Sequence, residues 1–293
     1  MTVSEQEVKR AGLTRQAIGR LYRGVPGLLI AGFIGLIITI VLTIWGVDLS
    51  GFDPGAQSLA DRLLPPLTDG HLLGTDQLGR DVFSRVSVGF RWSVPVGLLA
   101  TAIAATIGSL AGVAAAWKTG WVRSVLTRMM DVAISFPYLV LAVTIIAVVG
   151  HSFWALVLTL GLVSWVSFAR VIYAETLRLR EREYLVAARL LGNSALRIAT
   201  TYVARGLRHT IAVMYAFIFA DLLVAEAGLS FLGLGAPLGA PSWGNMLAAS
   251  REHLFTAPWL MYAPAAAVIL VVLTANLIGD GLIQHWGRGT TQH

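Results

Sequence analysis

Long apolar runs separated by short charged intervals dominate this chain. Val25 to Val47 carries no charged residue, and neither does Trp92 to Trp117. Val132 to Ala169 holds no Asp, Glu, Lys or Arg, which is length enough for two spans turned at Gly150-His151. His209 to Leu229 and Pro258 to Gly279 complete the series. A hydrocarbon core of about 30 Å takes roughly 20 helical residues at about 1.5 Å rise each. The pattern therefore predicts an all-α membrane protein with six spans, at about 25–47, 92–117, 129–150, 152–174, 209–229 and 258–280. The first run is longer than the roughly 7–15 apolar residues of a cleavable signal and follows a polar leader, so it is expected to be a retained helix.

The polar intervals carry patterns of their own. In the leader, 1–24, Leu13, Ala17, Ile18, Leu21 and Tyr22 recur at helical spacing between arginines. That suits a helix lying on the membrane surface, and equally a simple topogenic charge cluster. The segment 48–91 is rich in turn signals (Asp53-Pro54-Gly55, Pro65-Pro66, Asp69-Gly70). Near its end Thr75 or Asp76 is expected to cap an amphipathic helix with Leu78, Val82, Phe83 and Val86 on one face. Asp76 with Arg80, and Asp81 with Arg85, form acid-before-base pairs four apart, each worth a few tenths of a kcal/mol (about 0.2–0.5). Gly108 and Gly112 are small residues one turn apart, suited to close helix packing within the chain or to a dimer seam. The glycine-rich connection from Gly228 to Pro258 suits a gate or re-entrant turn, with a passive surface loop as the plainer reading.

Charge then sets orientation. Seventeen of the 22 Lys and Arg residues lie in the leader, in the connections after the second and fourth spans, and in the tail 283–293. Only Arg62, Arg80, Arg85, Arg91 and Arg251 lie in the alternate connections. By the positive-inside rule both termini are expected in the cytosol, and 48–91 outside it. The net charge of +6 is thus mostly topology rather than a nucleic-acid surface. A mean hydropathy of +0.72 and 13% charged residues fit the same picture, since soluble domains carry about 25%. With no cysteine, thiolate metal sites, disulfides and cysteine nucleophiles are excluded.

Enzymatic chemistry finds no footing. Lys9 and Lys118 are the only lysines, and the nearest approach to a phosphate-binding loop, Gly112 to Thr119, has Trp117 where a glycine is needed. No two histidines stand three or four apart as metal ligands on one helix face. The remaining signal is charge inside a span. Asp221 lies near the middle of the fifth span and Glu226 a turn beyond. A carboxylate at that depth costs on the order of 2.5–3.5 kcal/mol, so Asp221 should face water or a partner charge. Glu226 either lines the same path or sits solvated at the outer interface. Trp243 and Asn245, in the glycine-rich connection, join them as candidates for a translocation path.

From Arg170 to Arg208 the chain leaves the membrane with charges throughout, the insert proper being 175–208. Tyr184, Ala187, Ala188 and Leu191 share a helical face, Arg189 lies among them, and Gly192-Asn193 is a helix stop. This stretch resembles the Glu-Ala-Ala-x-x-x-Gly loop of type I ABC importer permeases, with Ala187, Ala188 and Gly192 matching. Leu73 to Arg85, Met130 to Pro137, Leu229 to Gly235, Pro241 to Leu247 and Asn276 to Leu282 are similar to signatures of the C-type permease subunit of dipeptide, oligopeptide and nickel importers. Val186 replaces the loop's usual glutamate, and Arg205 stands where it ends in proline.

The resemblance implies the type I ABC importer fold in a bacterial inner membrane, with 92–282 as the transmembrane core. It implies a heterodimer with a related B-type permease subunit, two ATPase subunits binding ATP and Mg, and an extracytoplasmic substrate-binding protein. This chain would bind no cofactor and would catalyse no hydrolysis. Tyr184, Ala187, Ala188, Arg189, Leu191 and Gly192 would couple it to the ATPases. The expected function is peptide uptake. The rivals are uptake of nickel chelates or another small solute on the same architecture, and a self-sufficient carrier or channel.

Overall fold

The computed structural model describes residues 25–237 and 239–287, and the side chains of Val25, Pro26, Arg189 and Leu196 fall outside that description. The basic leader and Arg288 also lie outside the described residues. All regular elements among those described are helical: α1 Val25–Ser50, α2 Val82–Trp117, α3 Trp121–Ser135, α4 Tyr138–Val149, α5 Phe153–Arg180, α6 Glu183–Leu190, α7 Ala204–Phe231, α8 Trp243–Ser250 and α9 Trp259–Gly287. A turn at Ala195–Arg197 and a π-helical stretch, Ile198–Val203, lead into α7. Five helices are long and apolar enough to cross a membrane, and α3 with α4 passes the same test as a bent pair, a broken span or a re-entrant loop.

That bend corrects the third predicted span. In place of one helix at 129–150, α3 and α4 meet at 88°. Pro137 supplies no N–H and pushes the preceding residue out of the helical region, and Phe136 is extended at φ −102°, ψ 135°. The α4 segment, 12 residues or about 18 Å, is too short to cross by itself.

The second span is corrected as well. The amphipathic stretch before it is the first part of the same 36-residue helix, so the connecting strap shrinks to residues 51–81. Asp81, rather than Thr75 or Asp76, is the cap: its Oδ2 accepts from Ser84 N at 2.7 Å. Asp76 instead accepts from Leu78 N and Arg80 N, and its Oδ2 lies 2.7 Å from Arg80 Nε. Arg85 leans back toward Asp76 at 3.5 Å, leaving Asp81 to bind His71 Nδ1 at 2.9 Å.

The core forms where α2 meets α5. In lipid, helix association rests on close packing rather than on the hydrophobic effect. A methyl group on Gly108 would stand 2.3 Å from the Trp165 carbonyl oxygen, and one on Gly112 2.6 Å from that of Ala169. The small-residue motif therefore serves packing within the chain. At the strap end, Val82, Val86 and Phe90 of α2 pack with Phe219 and Leu223 of α7, Trp243 of α8 and Leu260 of α9. Ala142 and Ile146 of α4 share a second cluster with Leu222, Ala225 and Leu229 of α7. The α1 helix lies along α9, with Gly35 against Thr274, and exposes Ile30, Phe33, Ile37 and Trp45.

Candidate functional site

The polar insert becomes a short helix held under the ends of two long ones. Leu185 is fully buried with Ile172 and Leu179 of α5, Ile198 and Val203 of the π-helical stretch, and Leu207 of α7. Ala188 turns to the same buried side. This divides the predicted face: Tyr184, Ala187 and Leu191 remain exposed while Ala188 anchors. Leu190, absent from the predicted set, is 84% exposed, and Leu191 beside it is 81% exposed. Two large apolar side chains bared at a helix end form a knob, a sign of interaction that 3.6-residue periodicity alone does not reveal.

The helix stops by backbone chemistry. Gly192 takes φ +77°, where a side chain is strained, and no heavy atom beyond its immediate neighbours lies within 4 Å of where a Cβ would sit. Asn193 donates both its backbone N–H (3.3 Å) and its Nδ2 (3.0 Å) to the Ala188 carbonyl. Arg180, at the end of α5, donates to the Ala116 carbonyl of α2 and lies 5.5 Å from the centroid of the Trp117 ring. The Leu185 cluster joins α6 to α5 and α7, and the Arg180 bond joins α5 to α2.

The four path candidates fare differently. Trp243 is fully buried: Nε1 donates to the Val86 carbonyl at 3.0 Å, and the ring packs edge-on against Phe90 at 4.7 Å. Asn245 Nδ2 donates to the carbonyls of Pro237 (2.9 Å) and Ala240 (3.2 Å). Glu226 is 0% exposed, in place of the solvated interface position weighed for it. Its Oε1 accepts from Ser230 Oγ at 2.9 Å, and that oxygen in turn accepts from Ala236 N at 2.9 Å. Among the described residues Glu226 Oε2 has no hydrogen-bond partner. Glu226, through Ser230, and Asn245 thus hold Ala236, Pro237 and Ala240, while Trp243 ties α8 to α2. Asp221 alone of the four is exposed, on an α7 stripe with Val224 and Gly228.

Residues 85–292 match the family described as the binding-protein-dependent transport system inner membrane component. The chain belongs to this family. The match starts within the first turns of α2, so the family core comprises everything from α2 onward. The chain is 37% identical over 251 residues to a putative peptide transport system permease protein of Brucella suis, covering 86% of this chain and 84% of that one. It is 33% identical over 255 residues to a dipeptide transport system permease protein of Alkalihalophilus pseudofirmus (87% and 84% covered). It is 32% identical over 253 residues to a glutathione transport system permease protein of Pectobacterium atrosepticum (86% and 84%). The permease fold predicted from the quoted signatures and the observed helical architecture thus agree.

Proposed function

We propose that this permease is one of two related membrane subunits of an ATP-driven importer of di- and oligopeptides. Two ATPase subunits would bind at the α6 face, and an extracytoplasmic binding protein would deliver cargo at the strap face. Both termini would then be cytosolic, as the arginine distribution favours. The observation that carries the reading is the anchored, apolar-tipped α6: Leu185 fixes it to the spans while Tyr184, Leu190 and Leu191 are left open. Closure of the ATPases on nucleotide would displace α6. The shared cluster would pass that displacement to α5 and α7 and shift the spans between inward- and outward-facing states. The peptide assignment is supported by the names of the relatives at 32–37% identity.

The test uses the whole complex, purified with its permease partner and ATPases. Gly192→Trp places bulk in the open space beside the knob, and Gly192→Ala is its control, sharing the backbone strain of about 1–2 kcal/mol without the bulk. The expected result is that Gly192→Trp inserts normally but loses most ATPase stimulation by loaded binding protein, whereas Gly192→Ala retains it. Equal stimulation in both would remove α6 from the coupling route.

A further inference from the structure

Asp221 sits where a carboxylate needs a reason. It lies ten residues before Phe231 at the end of α7, about 15 Å along the axis and so near the middle of a core of about 30 Å. Its neighbours Leu222 and Leu223 are buried, but Asp221 lies on the open stripe with Val224 and Gly228. Among the described residues no Lys or Arg pairs with it. Asp131 on α3, by contrast, is held by Arg170 at 2.7 Å. An ionisable group at mid-depth faces a partner charge or a water-filled cavity rather than lipid.

Two other features meet it there. The α4 helix packs beside α7 through Ala142 and Ile146, next to Leu222 and Ala225. Tyr138, one turn before Ala142, is partly exposed and lies within electrostatic reach of Asp221. The break at Phe136-Pro137 ends α3 beside Tyr138, about 18 Å from the far end of α4. A helix end leaves its last carbonyls unpaired and carries the negative pole of the helix dipole. Broken backbone at membrane depth is tolerated only inside protein or along an aqueous cavity, and here Ser135, Phe136 and Pro137 are all exposed.

A carboxylate on α7, and a phenol and a carbonyl-bearing helix end at the start of the helix packed beside it, all favour a cationic hydrogen-bond donor. We propose that Asp221, Tyr138 and the end of α3 form a transit subsite for an ammonium group, the free amino terminus or a basic side chain of the translocated peptide. This deepens the importer reading and rests on it.

The experiment uses the complete complex in proteoliposomes with its binding protein, and labelled dialanine as the probe. Asp221→Asn is expected to lower ATP-driven dialanine uptake about tenfold or more, with subunit assembly and binding-protein-stimulated ATPase retained. Asp221→Glu should restore much of the uptake. Wild-type uptake by Asp221→Asn would overturn the subsite and leave the importer reading standing. Loss of the partner permease from the Asp221→Asn complex would also overturn it, since the carboxylate would then be an intersubunit contact. Wild-type complex that hydrolyses ATP but moves no dialanine, lysylalanine or trialanine would overturn both.

Discussion

The two ends of this bundle solve opposite problems. At the strap end polar groups are buried and paired, among them His71, Asp76, Asp81, Ser84 and Arg85. Asp81 alone receives His71 Nδ1, Ser84 N and Ser84 Oγ, all within 2.9 Å. Ser84 Oγ also lies 2.6 Å from Ser50 Oγ at the end of α1, so the network ties the first span to the second. At the α6 end the order is reversed. Apolar side chains are bared, buried Leu185 and Ala188 do the anchoring, and a Cβ at the Gly192 stop would meet open space. Internal satisfaction fixes a geometry once. Unsatisfied apolar surface leaves binding free energy for a partner to supply, which is what the proposed docking of an ATPase would require.

The contrast breaks most visibly at its anchor. Leu185→Ala removes a fully buried side chain from the Ile172–Leu207 cluster, and such truncations cost about 2–5 kcal/mol. The expected outcome is a complex that still assembles its spans but whose insert is cut rapidly by trypsin at the neighbouring arginines, with transport-linked ATPase lost. Insert protection equal to wild type would mean that α6 is not held by that cluster. Next in size is Asp81→Asn. It keeps the shape but replaces a charged acceptor of three bonds, and hydrogen bonds to charged groups are each worth about 1.5–3 kcal/mol, part of which the amide oxygen retains. A lowered unfolding temperature in detergent is expected, with unchanged ATPase stimulation per folded complex. A coupling defect without a stability defect would contradict the division of labour between the ends.

Much of this was legible in the sequence because apolar run length and glycine-rich signatures are local. The parts that were not legible depend on partners far along the chain. Arg85 and Arg91 read as aqueous positions, yet Arg85 folds back on Asp76, and Arg91 donates to the Thr43 and Ile44 carbonyls at the end of α1. That is why α2 begins ten residues before its uncharged run. The α3–α4 break lay hidden in 38 residues without a charged side chain, because hydropathy counts Phe136-Pro137 as apolar and not as a bend. Trp243 read as a translocation-path candidate in a glycine-rich connection, but its acceptor is 157 residues away, and Gly89 leaves the slot that its ring fills. Within α6 the spacing grouped Ala188 with Tyr184 and Leu191, and only the position of Leu185 shows which side is buried.

The smallest expected change in stability is the sharpest test of the comparison. Leu190 and Leu191 are more than four-fifths exposed, and substitutions at such surface positions alter stability by about 0.5 kcal/mol or less. Leu190→Ser with Leu191→Ser should therefore leave the unfolding temperature and the span assembly where they were. If the knob docks into an ATPase groove, the same pair of changes removes two apolar anchors, each worth about 1.5–3 kcal/mol when fully buried. Retention of the ATPases during purification should then fall at least tenfold, measured as ATPase to permease ratio after washing. Unchanged retention with unchanged stability would make the knob an ordinary exposed surface, and docking would have to rest on Tyr184 and the surrounding arginines instead.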